Sequence, residues 1–398
     1  MSASIAANLE PVVNARATTV RQRVTSVDLV RGIVMILMAL DHTRDYLSKL
    51  RFQPEDLAKS SPALFATRWI THFCAPTFFL LAGVGAGLAV SGGKSKKEVS
   101  KFLFTRGLWL VVLEFTVSAF GWNFKLGFPL ILLVIWALGI SMVILSGLIF
   151  LPKKIIAAIS IITIAGHNLL DSVGAASMSG GSALWHILHQ PGLVSSNPLV
   201  IVAYPVIPWF AVMALGFVLS DVFRWEPQRR KRFLLLAGGI SIVAFIVIRF
   251  VNAYGNPLPW SAQKTGAMTV ASFLNAMKYP PSLDYLLMTL GPTMIALALL
   301  ENARGPLSRA ASVYGRVPMF YYLGHIYVVH IIAAIFAMWQ GGDASFLSLD
   351  TASFPKWYGT SLPGVYLAWL LVVLIMYLPC RWFADLKSRR RDWWLSYI

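Results

Sequence analysis

Runs of about 20 apolar residues recur along the whole chain, and they restrict the fold more than any other feature of the sequence. Hydrophobic residues make up 57% of the 398 residues, charged residues only 13%, and the mean hydropathy is +0.67. This composition is typical of proteins that cross a membrane several times. We therefore predict an all-α, polytopic membrane protein with about ten transmembrane helices. The predicted spans lie near residues 27–46, 70–90, 103–122, 128–151, 153–171, 200–221, 232–252, 283–301, 316–339 and 362–383.

The basic residues separate by side of the membrane once these spans are placed. With a cytoplasmic N-terminus, 24 of the 34 Lys and Arg residues fall on the inner side and 10 on the outer side. Positively charged loops stay in the cytoplasm, so both termini are predicted to be cytoplasmic and the protein to be a multi-pass protein of the inner (plasma) membrane. The net charge of +17 is spread over several short loops, which argues for the lipid bilayer and against nucleic acid as a partner.

The chain divides into a basic cytoplasmic tail over 1–25, a transmembrane domain over 26–385 and a basic, aromatic cytoplasmic tail over 386–398. The long loops are all external in this topology, which favours a binding site on the outer face. They cover residues 47–69, 172–199, 253–282 and 340–361.

The first predicted span carries ionisable residues at both ends. Arg31 lies near its start, Asp41 and His42 near its end, and Asp45 three residues further on. At about 100° per residue, the eleven steps from Arg31 to His42 place both side chains on one helix face, roughly 16 Å apart. His42 is therefore the candidate general base, with Asp41 and Asp45 as carboxylates that orient its ring. The alternative is a buried polar pair that fixes helix packing.

Arg31 is the candidate for binding a phosphate-rich molecule from the cytoplasm. A guanidinium group can grip phosphate through two parallel hydrogen bonds. Asp28 precedes it by three residues, so Arg31 has the alternative role of pairing locally or extending to lipid headgroups.

A second polar cluster is expected near the outer surface. The fifth span ends with His167 and Asn168, and Asp171 follows on the same helix face as His167. The next external loop contains His189, close to Trp185. The four polar residues are candidate acceptor-binding groups, although the loop equally fits an interfacial amphipathic segment.

The ninth span begins with Arg316 and brings His325 to mid-helix, with His330 five residues further on. Five residues correspond to about 140° around a helix, so the two histidines cannot serve one site from a regular helix. Haem ligation by paired histidines is an alternative that no spacing here favours.

Small residues and cysteines suggest packing rather than chemistry. The stretch from Gly83 to Gly87 contains a small-xxx-small pair, which favours close helix packing over a ligand loop. Cys74 and Cys380 lie in apolar helices far apart in sequence, so we expect neither a disulfide nor a metal site.

These motifs resemble the heparan-α-glucosaminide N-acetyltransferase-like family of membrane proteins, which has bacterial members, over nearly the whole chain. The Arg-Gly pair followed by His42 at eleven residues also resembles the wider membrane acyltransferase-3 group. The residues that carry the family resemblance are Ser26-Val27-Asp28 to Arg31-Gly32, His167-Asn168 to Asp171, Tyr204-Pro205 to Pro208-Trp209, Tyr279-Pro280-Pro281-Ser282 to Gly291-Pro292, and Gly315-Arg316 to His325.

The resemblance implies a transmembrane acyltransferase that moves an acetyl group from cytoplasmic acetyl-CoA to a sugar on the other side of the membrane. By motif position, Arg31 would bind the CoA moiety and His42 would act in the transfer step. Arg316 and His325 would line the donor channel. The acceptor would be the amine or hydroxyl of an envelope glycan or glycolipid.

The chain departs from the family pattern around the base. Animal members carry Asn where His42 stands and a proposed catalytic His in the following lumenal loop. This chain has no His between residues 43 and 71, which favours direct transfer with His42 as base over a covalent acetyl-histidine. His72, at the outer start of the second span, is the alternative base and otherwise joins the acceptor-binding candidates.

Two other classes of function stay open at this point. A proton-coupled permease would use Asp41, His42, Asp45 and Asp171 as a proton relay. A non-catalytic membrane scaffold would bind no ligand at its centre. The chain lacks a pair of interrupted helices at matching positions in two halves, which disfavours a transporter. The sequence leaves the oligomeric state open, with a homo-oligomer as one alternative.

Overall fold

The computed structural model describes residues 25–126, 129–175, 181–390 and 392–398, so the predicted tail over 1–25 lies outside the described residues except for Thr25. Helices account for most of this part of the chain. Its α-helices are α1 (Thr25–Leu47), α2 (Pro62–Thr71), α3 (Cys74–Ser91), α4 (Lys96–Leu113), α5 (Ala119–Asn123), α6 (Val134–Leu148), α7 (Lys153–Gly166), α8 (Ser182–Leu188), α9 (Trp209–Leu219), α10 (Pro227–Val251), α11 (Gly266–Leu274), α12 (Leu283–Leu299), α13 (Pro306–Arg316), α14 (Pro318–Trp339) and α15 (Leu362–Arg389). Its strands are β1 (Leu130–Leu132), β2 (Gly192–Ser196) and β3 (Leu199–Val202).

Six helical segments of the described chain are long and apolar enough to cross a membrane. Helices α6 and α12 are apolar but have only 15 and 17 residues, and α9 has 11. Helix α1 has 23 residues but carries ionisable residues near both ends. A helix thus lies at each of the ten predicted spans, and six have the dimensions of a full crossing. The six segments are Pro62–Ser91, Lys96–Asn123, Lys153–Leu170, Pro227–Val251, Pro318–Trp339 and Leu362–Arg389.

A small sheet adds strands to the predicted all-helical fold. Strand β1 pairs in parallel with β3, which pairs antiparallel with β2. Strands β1 and β3 occupy the starts of the predicted spans near 128–151 and 200–221, so those two helices are shorter than predicted. Pro205 and Pro208 prevent the second of these helices from starting before Trp209, since proline disfavours the helical conformation at the residue before it. Because β1 and β3 are parallel, the chain leaves both strands at the same edge of the sheet.

Helix α1 lies inside the bundle, where it packs against α3, α13, α14 and α15. Most of its residues are buried, including Asp41 and Arg44. Helix α10, in contrast, exposes Leu236, Val247 and Phe250, as expected of a helix that faces lipid. The polar groups of α1 therefore have to find their partners within the protein.

Glycines allow several helix pairs to come into backbone contact. A Cβ atom at Gly32 would lie 1.8 Å from the carbonyl oxygen of Ala311, and one at Gly315 would lie 1.8 Å from that of Asp28. No side chain fits at these positions between α1 and α13. This explains the glycines of the Arg31-Gly32 and Gly315-Arg316 motifs. The predicted close packing at Gly83 is confirmed in the same way, against the backbone of α9.

Candidate active site

His42 and His325 form a hydrogen-bonded pair that joins the end of α1 to the middle of α14. His42 Nδ1 lies 2.7 Å from His325 Nε2. His325 Nδ1 lies 2.9 Å from the carbonyl oxygen of Tyr321, and because a carbonyl only accepts, His325 carries its proton on Nδ1. In the neutral pair His325 Nε2 is then the acceptor and His42 Nδ1 the donor. His42 Nε2 keeps a lone pair, as a general base requires.

The carboxylates predicted to orient His42 form ion pairs with arginines instead. Asp41 Oδ1 lies 2.8 Å from Arg44 Nη1, and Asp41 Oδ2 accepts a hydrogen bond from Arg68. Asp45 Oδ1 lies 2.6 Å from Arg44 Nη2. Two buried guanidinium groups require counter-charges, so they take both carboxylates and leave the Nδ1 hydrogen of His42 to another histidine.

Glu55 extends this ion-pair network from the loop before α2. Its Oε1 accepts a hydrogen bond from Arg68 Nε at 2.6 Å and lies 3.6 Å from His72 Nε2. Burial raises the pKa of Glu55, but Arg68 and His72 outweigh that effect and hold the pKa below its usual range. Glu55 is therefore an anion at neutral pH and fixes the position of Arg68.

An open cavity of about 590 Å³ lies over this network, and we call it the His42 cavity. The residues that follow β1 and β3, Leu133 and Ala203, form part of its wall, because both strands end at the same edge of the sheet. A wall rich in charged and polar groups suits a molecule that carries many hydroxyl or amine groups. The charged residues that line it are Asp41, Arg44, Asp45, Glu55, Arg68 and Lys278.

Lys278 and two tyrosines line the His42 cavity and are not among the site residues predicted from the sequence. Lys278 Nζ lies 5.1 Å from the ring centroid of Tyr279 and 5.9 Å from that of Tyr204. The Tyr279 hydroxyl donates to the Tyr204 hydroxyl at 3.4 Å. Desolvation raises the pKa of Tyr279, but Lys278 and Arg68 outweigh it and leave the pKa below its ordinary value. The sequence signal for this group is the pair of Tyr-Pro motifs that carry the resemblance.

A second cavity, of about 260 Å³, opens beside the start of α1, and we call it the Arg31 cavity. Three cations line it, Arg31, Lys94 and Arg106, and none of the described residues in its wall is Asp or Glu. The rest of the wall is apolar and includes Gly85, where a Cβ atom would have no heavy atom within 4 Å. The Arg31 cavity therefore suits an anion with a long apolar part.

Arg31 makes the local contacts that the sequence allows for it and also lines the cavity. It donates to the carbonyl oxygen of Gly315 at 3.2 Å and lies 3.6 Å from Asp28. Arg316, predicted to line the donor channel, is exposed and does not line the Arg31 cavity, because it is the last residue of α13 and stays at the surface. His325, predicted to line the same channel, contacts the His42 ring instead.

A small cavity of about 30 Å³ separates the two larger cavities, and we call it the neck. The neck shares Phe78 with the Arg31 cavity, His42 with the His42 cavity and Val134 with both. Tyr322 lines both larger cavities. The three cavities therefore adjoin in series, and His42 lines the smallest of them.

The predicted outer cluster comes together, but away from His42. His189 Nε2 lies 2.9 Å from Asp171 Oδ1, and Asn168 donates to Asp171 Oδ2 at 2.7 Å. Asn168 also accepts a hydrogen bond from the first backbone N–H of α12, and His167 Nε2 lies 2.8 Å from a carbonyl oxygen of the loop before α12. None of these four residues lines the His42 cavity. Their contacts hold the loop around α8 and the start of α12 to the end of α7.

His72 is buried just after α2 and does not line the His42 cavity either. Its ring packs against Tyr285 with the centroids 5.4 Å apart, and its Nε2 faces Glu55. His72 therefore contacts the ion-pair network through Glu55, on the side that does not face the His42 cavity.

Comparison with known proteins places the chain within a family. No curated protein matches the chain. The family model described as heparan-alpha-glucosaminide N-acetyltransferase, catalytic, matches residues 23–253. This range contains Arg31 and His42, whereas Lys278, Arg316 and His325 lie beyond it, so the match is shorter than the nearly full-length resemblance predicted from the motifs. Since the matched range exceeds half of the chain, the protein belongs to the heparan-alpha-glucosaminide N-acetyltransferase family.

Proposed function

We propose that the protein is a transmembrane acetyltransferase of the inner membrane that moves the acetyl group of cytoplasmic acetyl-CoA to an amine or hydroxyl of an extracytoplasmic sugar. The observation that carries this proposal is the series of the Arg31 cavity, the neck and the His42 cavity, with an imidazole nitrogen available at the junction. Substrates that approach from opposite sides of a membrane can react where two such cavities meet. Family membership supports the reaction class.

Acetyl-CoA is the donor substrate in this proposal and occupies the Arg31 cavity. CoA has a phosphate-rich nucleotide end and a long, weakly polar arm that ends in the thioester. Arg31, Lys94 and Arg106 supply cations for the phosphates. The apolar wall beside Gly85 accommodates the arm, which brings the thioester toward the neck.

The proposed reaction is a direct transfer with His42 as general base. The acceptor amine or hydroxyl attacks the thioester carbonyl carbon, and His42 Nε2 takes the proton from the attacking nitrogen or oxygen. The tetrahedral intermediate then collapses, the carbon–sulfur bond breaks, and the leaving CoA thiolate takes the acceptor's proton from the imidazolium. His325 supports this role because it accepts the Nδ1 hydrogen of His42 and so selects the tautomer whose Nε2 is basic.

The acceptor of this proposal is an amine-bearing or hydroxyl-bearing sugar of an envelope glycan or glycolipid, bound in the His42 cavity. The balance of carboxylates and cations in the wall supports a polar, hydrogen-bonding molecule. Asp41 and Asp45 contribute by holding Arg44 beside His42. The cluster of His167, Asn168 and Asp171 does not line the His42 cavity. It contributes by holding the loop around α8 and the start of α12 in place.

We further propose ten spans over residues 26–385, with both termini in the cytoplasm. The start of α1 and the loops after α9 and α12 meet around one surface cavity, lined by Thr25, Arg224, Arg230 and Arg304. The predicted external loops also contact each other: Asn275 donates to the carbonyl oxygen of Glu55 at 3.0 Å. Basic loops gathered on one side and long loops on the other support this topology.

Acetyl-CoA binding by calorimetry on the purified protein in detergent tests the proposal. We expect wild type to bind with micromolar affinity, desulfo-CoA to compete, and Arg31→Ala to weaken binding at least about tenfold, because a charge-assisted contact to phosphate is lost. Arg309→Ala, an exposed arginine of α13 outside the cavity wall, is the matched control. A folded wild-type protein that binds no acetyl-CoA contradicts the proposal.

A proton-coupled permease is the second candidate, because the same series of cavities passes Asp41, His42 and Asp45. Proteoliposomes distinguish the two functions. A permease moves its solute without acetyl-CoA and responds to a pH gradient, whereas an acetyltransferase consumes acetyl-CoA and releases CoA.

A further inference from the structure

The neck brings one cation next to the candidate base. Lys278 lines both the neck and the His42 cavity, as do Asp41, His42 and Tyr204. Only 9% of Lys278 is exposed. Lys278 is therefore a buried cation at the neck, between the Arg31 cavity and the His42 cavity.

Lys278 forms no ion pair within the described part of the chain, although the Asp41 carboxylate lines the same two cavities. No Asp or Glu oxygen of the described residues lies within 4.0 Å of its Nζ atom. The other two cations of the His42 cavity, Arg44 and Arg68, are paired with the cavity's carboxylates. A buried ammonium without an ion pair is costly, so it marks a place where an anion is stabilised. The lowered pKa of Tyr279 has the same origin.

The backbone around Lys278 is held in place from several directions. The N–H of Ser282 donates to the carbonyl oxygen of Met277 at 2.9 Å, and the N–H of Met277 donates to Asn256 Oδ1 at 2.7 Å. The Ser282 hydroxyl then caps α12 by accepting the N–H of Tyr285. The backbone that carries Lys278 is thus positioned before any substrate arrives, and the Tyr279 ring lies 5.1 Å from its Nζ atom, which favours the preorganisation that electrostatic catalysis requires.

We propose that Lys278 is a catalytic residue that stabilises the negative charge formed on the thioester oxygen during acetyl transfer. This inference rests on the proposed function. When the acceptor attacks, its lone pair forms the new bond to the carbonyl carbon, and the π electrons of the carbonyl move to oxygen. Lys278 donates to that oxygen while His42 holds the acceptor proton. When the carbonyl re-forms, the carbon–sulfur bond breaks and the electron pair leaves with sulfur, which takes the proton from His42.

An equilibrium experiment tests this role without an acceptor. S-carboxymethyl-CoA carries a carboxylate in place of the acetyl group, and S-carbamoylmethyl-CoA is its neutral counterpart. We expect wild type to bind the carboxylate form about ten- to one-hundred-fold more tightly than the neutral form, since the anion gains a charge-assisted hydrogen bond. Lys278→Met should remove this preference and leave the affinity for CoA unchanged, whereas Lys278→Arg should keep part of it.

The matched control is Lys264→Met, which removes an exposed lysine from the same long loop and should leave both affinities at the wild-type value. Equal binding of the two analogues by wild type overturns the role of Lys278, and this comparison holds even if Lys278→Met does not fold. A folded Lys278→Met protein that keeps the preference overturns it as well. Absence of CoA binding by wild type instead contradicts the proposed function, so the two failures are distinguishable.

Discussion

At the scale of single residues, the candidate base has an unusual partner. In hydrolases with a Ser-His-Asp triad, a carboxylate holds the imidazole and stabilises the imidazolium that forms. Here a second histidine accepts the Nδ1 hydrogen of His42, and its own proton is fixed by the carbonyl of Tyr321. His325 therefore selects the tautomer of His42 without placing a negative charge on its ring. An imidazolium formed at His42 therefore has to be stabilised by groups other than His325.

Substitution of His325 tests this positioning role. We expect His42→Ala to abolish transfer of radiolabelled acetyl from acetyl-CoA to glucosamine, whereas His325→Phe should lower kcat about 10- to 100-fold with unchanged acetyl-CoA affinity. His325→Gln should recover part of the rate, because its amide oxygen can accept the same hydrogen bond. An undiminished rate in folded His325→Phe, or no recovery with Gln, contradicts the role.

Glu55 provides a prediction for acid stability. Its folded-state pKa lies below the unfolded value of about 4.3, so its contribution is fully present above that pH and is lost as the pH falls through the folded-state pKa. Glu55→Gln should lower the free energy of unfolding by about 1 to 3 kcal/mol at neutral pH. The difference from wild type should narrow below about pH 4.

Apparent melting temperatures of the detergent-solubilised protein, measured from neutral pH to about pH 3, check this expectation. Asp56→Asn is the control, because Asp56 is the next residue and pairs only with exposed Lys59 among the described ion pairs. A difference between Glu55→Gln and wild type that stays constant down to pH 3 would contradict the assignment.

At the scale of secondary-structure elements, helix α3 uses its small residues on two faces. Gly83 and Gly87 meet α9, where a Cβ atom at Gly83 would lie 1.8 Å from a carbonyl oxygen. Gly85, between them, points into the Arg31 cavity and meets no atom. One glycine-rich segment therefore allows tight packing on one side and leaves space for a ligand on the other.

Filling that space should block donor binding. Gly85→Leu is expected to weaken acetyl-CoA binding at least about tenfold with little change in melting temperature, because the new side chain enters a cavity and not a packed contact. Gly239→Leu on α10, where a Cβ atom also meets nothing within 4 Å and which does not line the cavity, is the control. Equal calorimetric affinities of the two variants would show that acetyl-CoA does not lie beside Gly85.

The positions of the helices and the polar stripe of α1 are predictable because both depend on residues close in sequence. The partners of that stripe are not. His325 lies 283 residues from His42, and no pattern in either helix indicates that they touch. Asp41 and Asp45 are nearer to His42 in sequence, so local spacing favours them as the partners of its ring. The structure shows His325 in that position instead. Lys278 lies in a loop without periodicity, and only the fold brings it to the neck.

At the scale of the whole molecule, the proposed topology makes a labelling prediction. Lys264→Cys should react with a membrane-impermeant maleimide in intact cells, whereas Arg304→Cys should react only after the membrane is permeabilised. Both positions are exposed, and the native cysteines, Cys74 and Cys380, are buried, so wild type serves as the unlabelled control. Equal labelling of both variants in intact cells would rule out the proposed orientation.

The neck also has an electrical consequence. If the Arg31 and His42 cavities open to opposite sides of the membrane, ions and water approach the neck from both, and the transmembrane potential falls mainly across the short path between Phe78 and His42. One elementary charge that crosses 100 mV changes its energy by roughly 2.3 kcal/mol. Turnover in proteoliposomes with an imposed potassium diffusion potential measures this dependence. In the proposed topology, acetyl transfer at His42 would take place inside the electric field of the membrane, and its rate would change with the membrane potential.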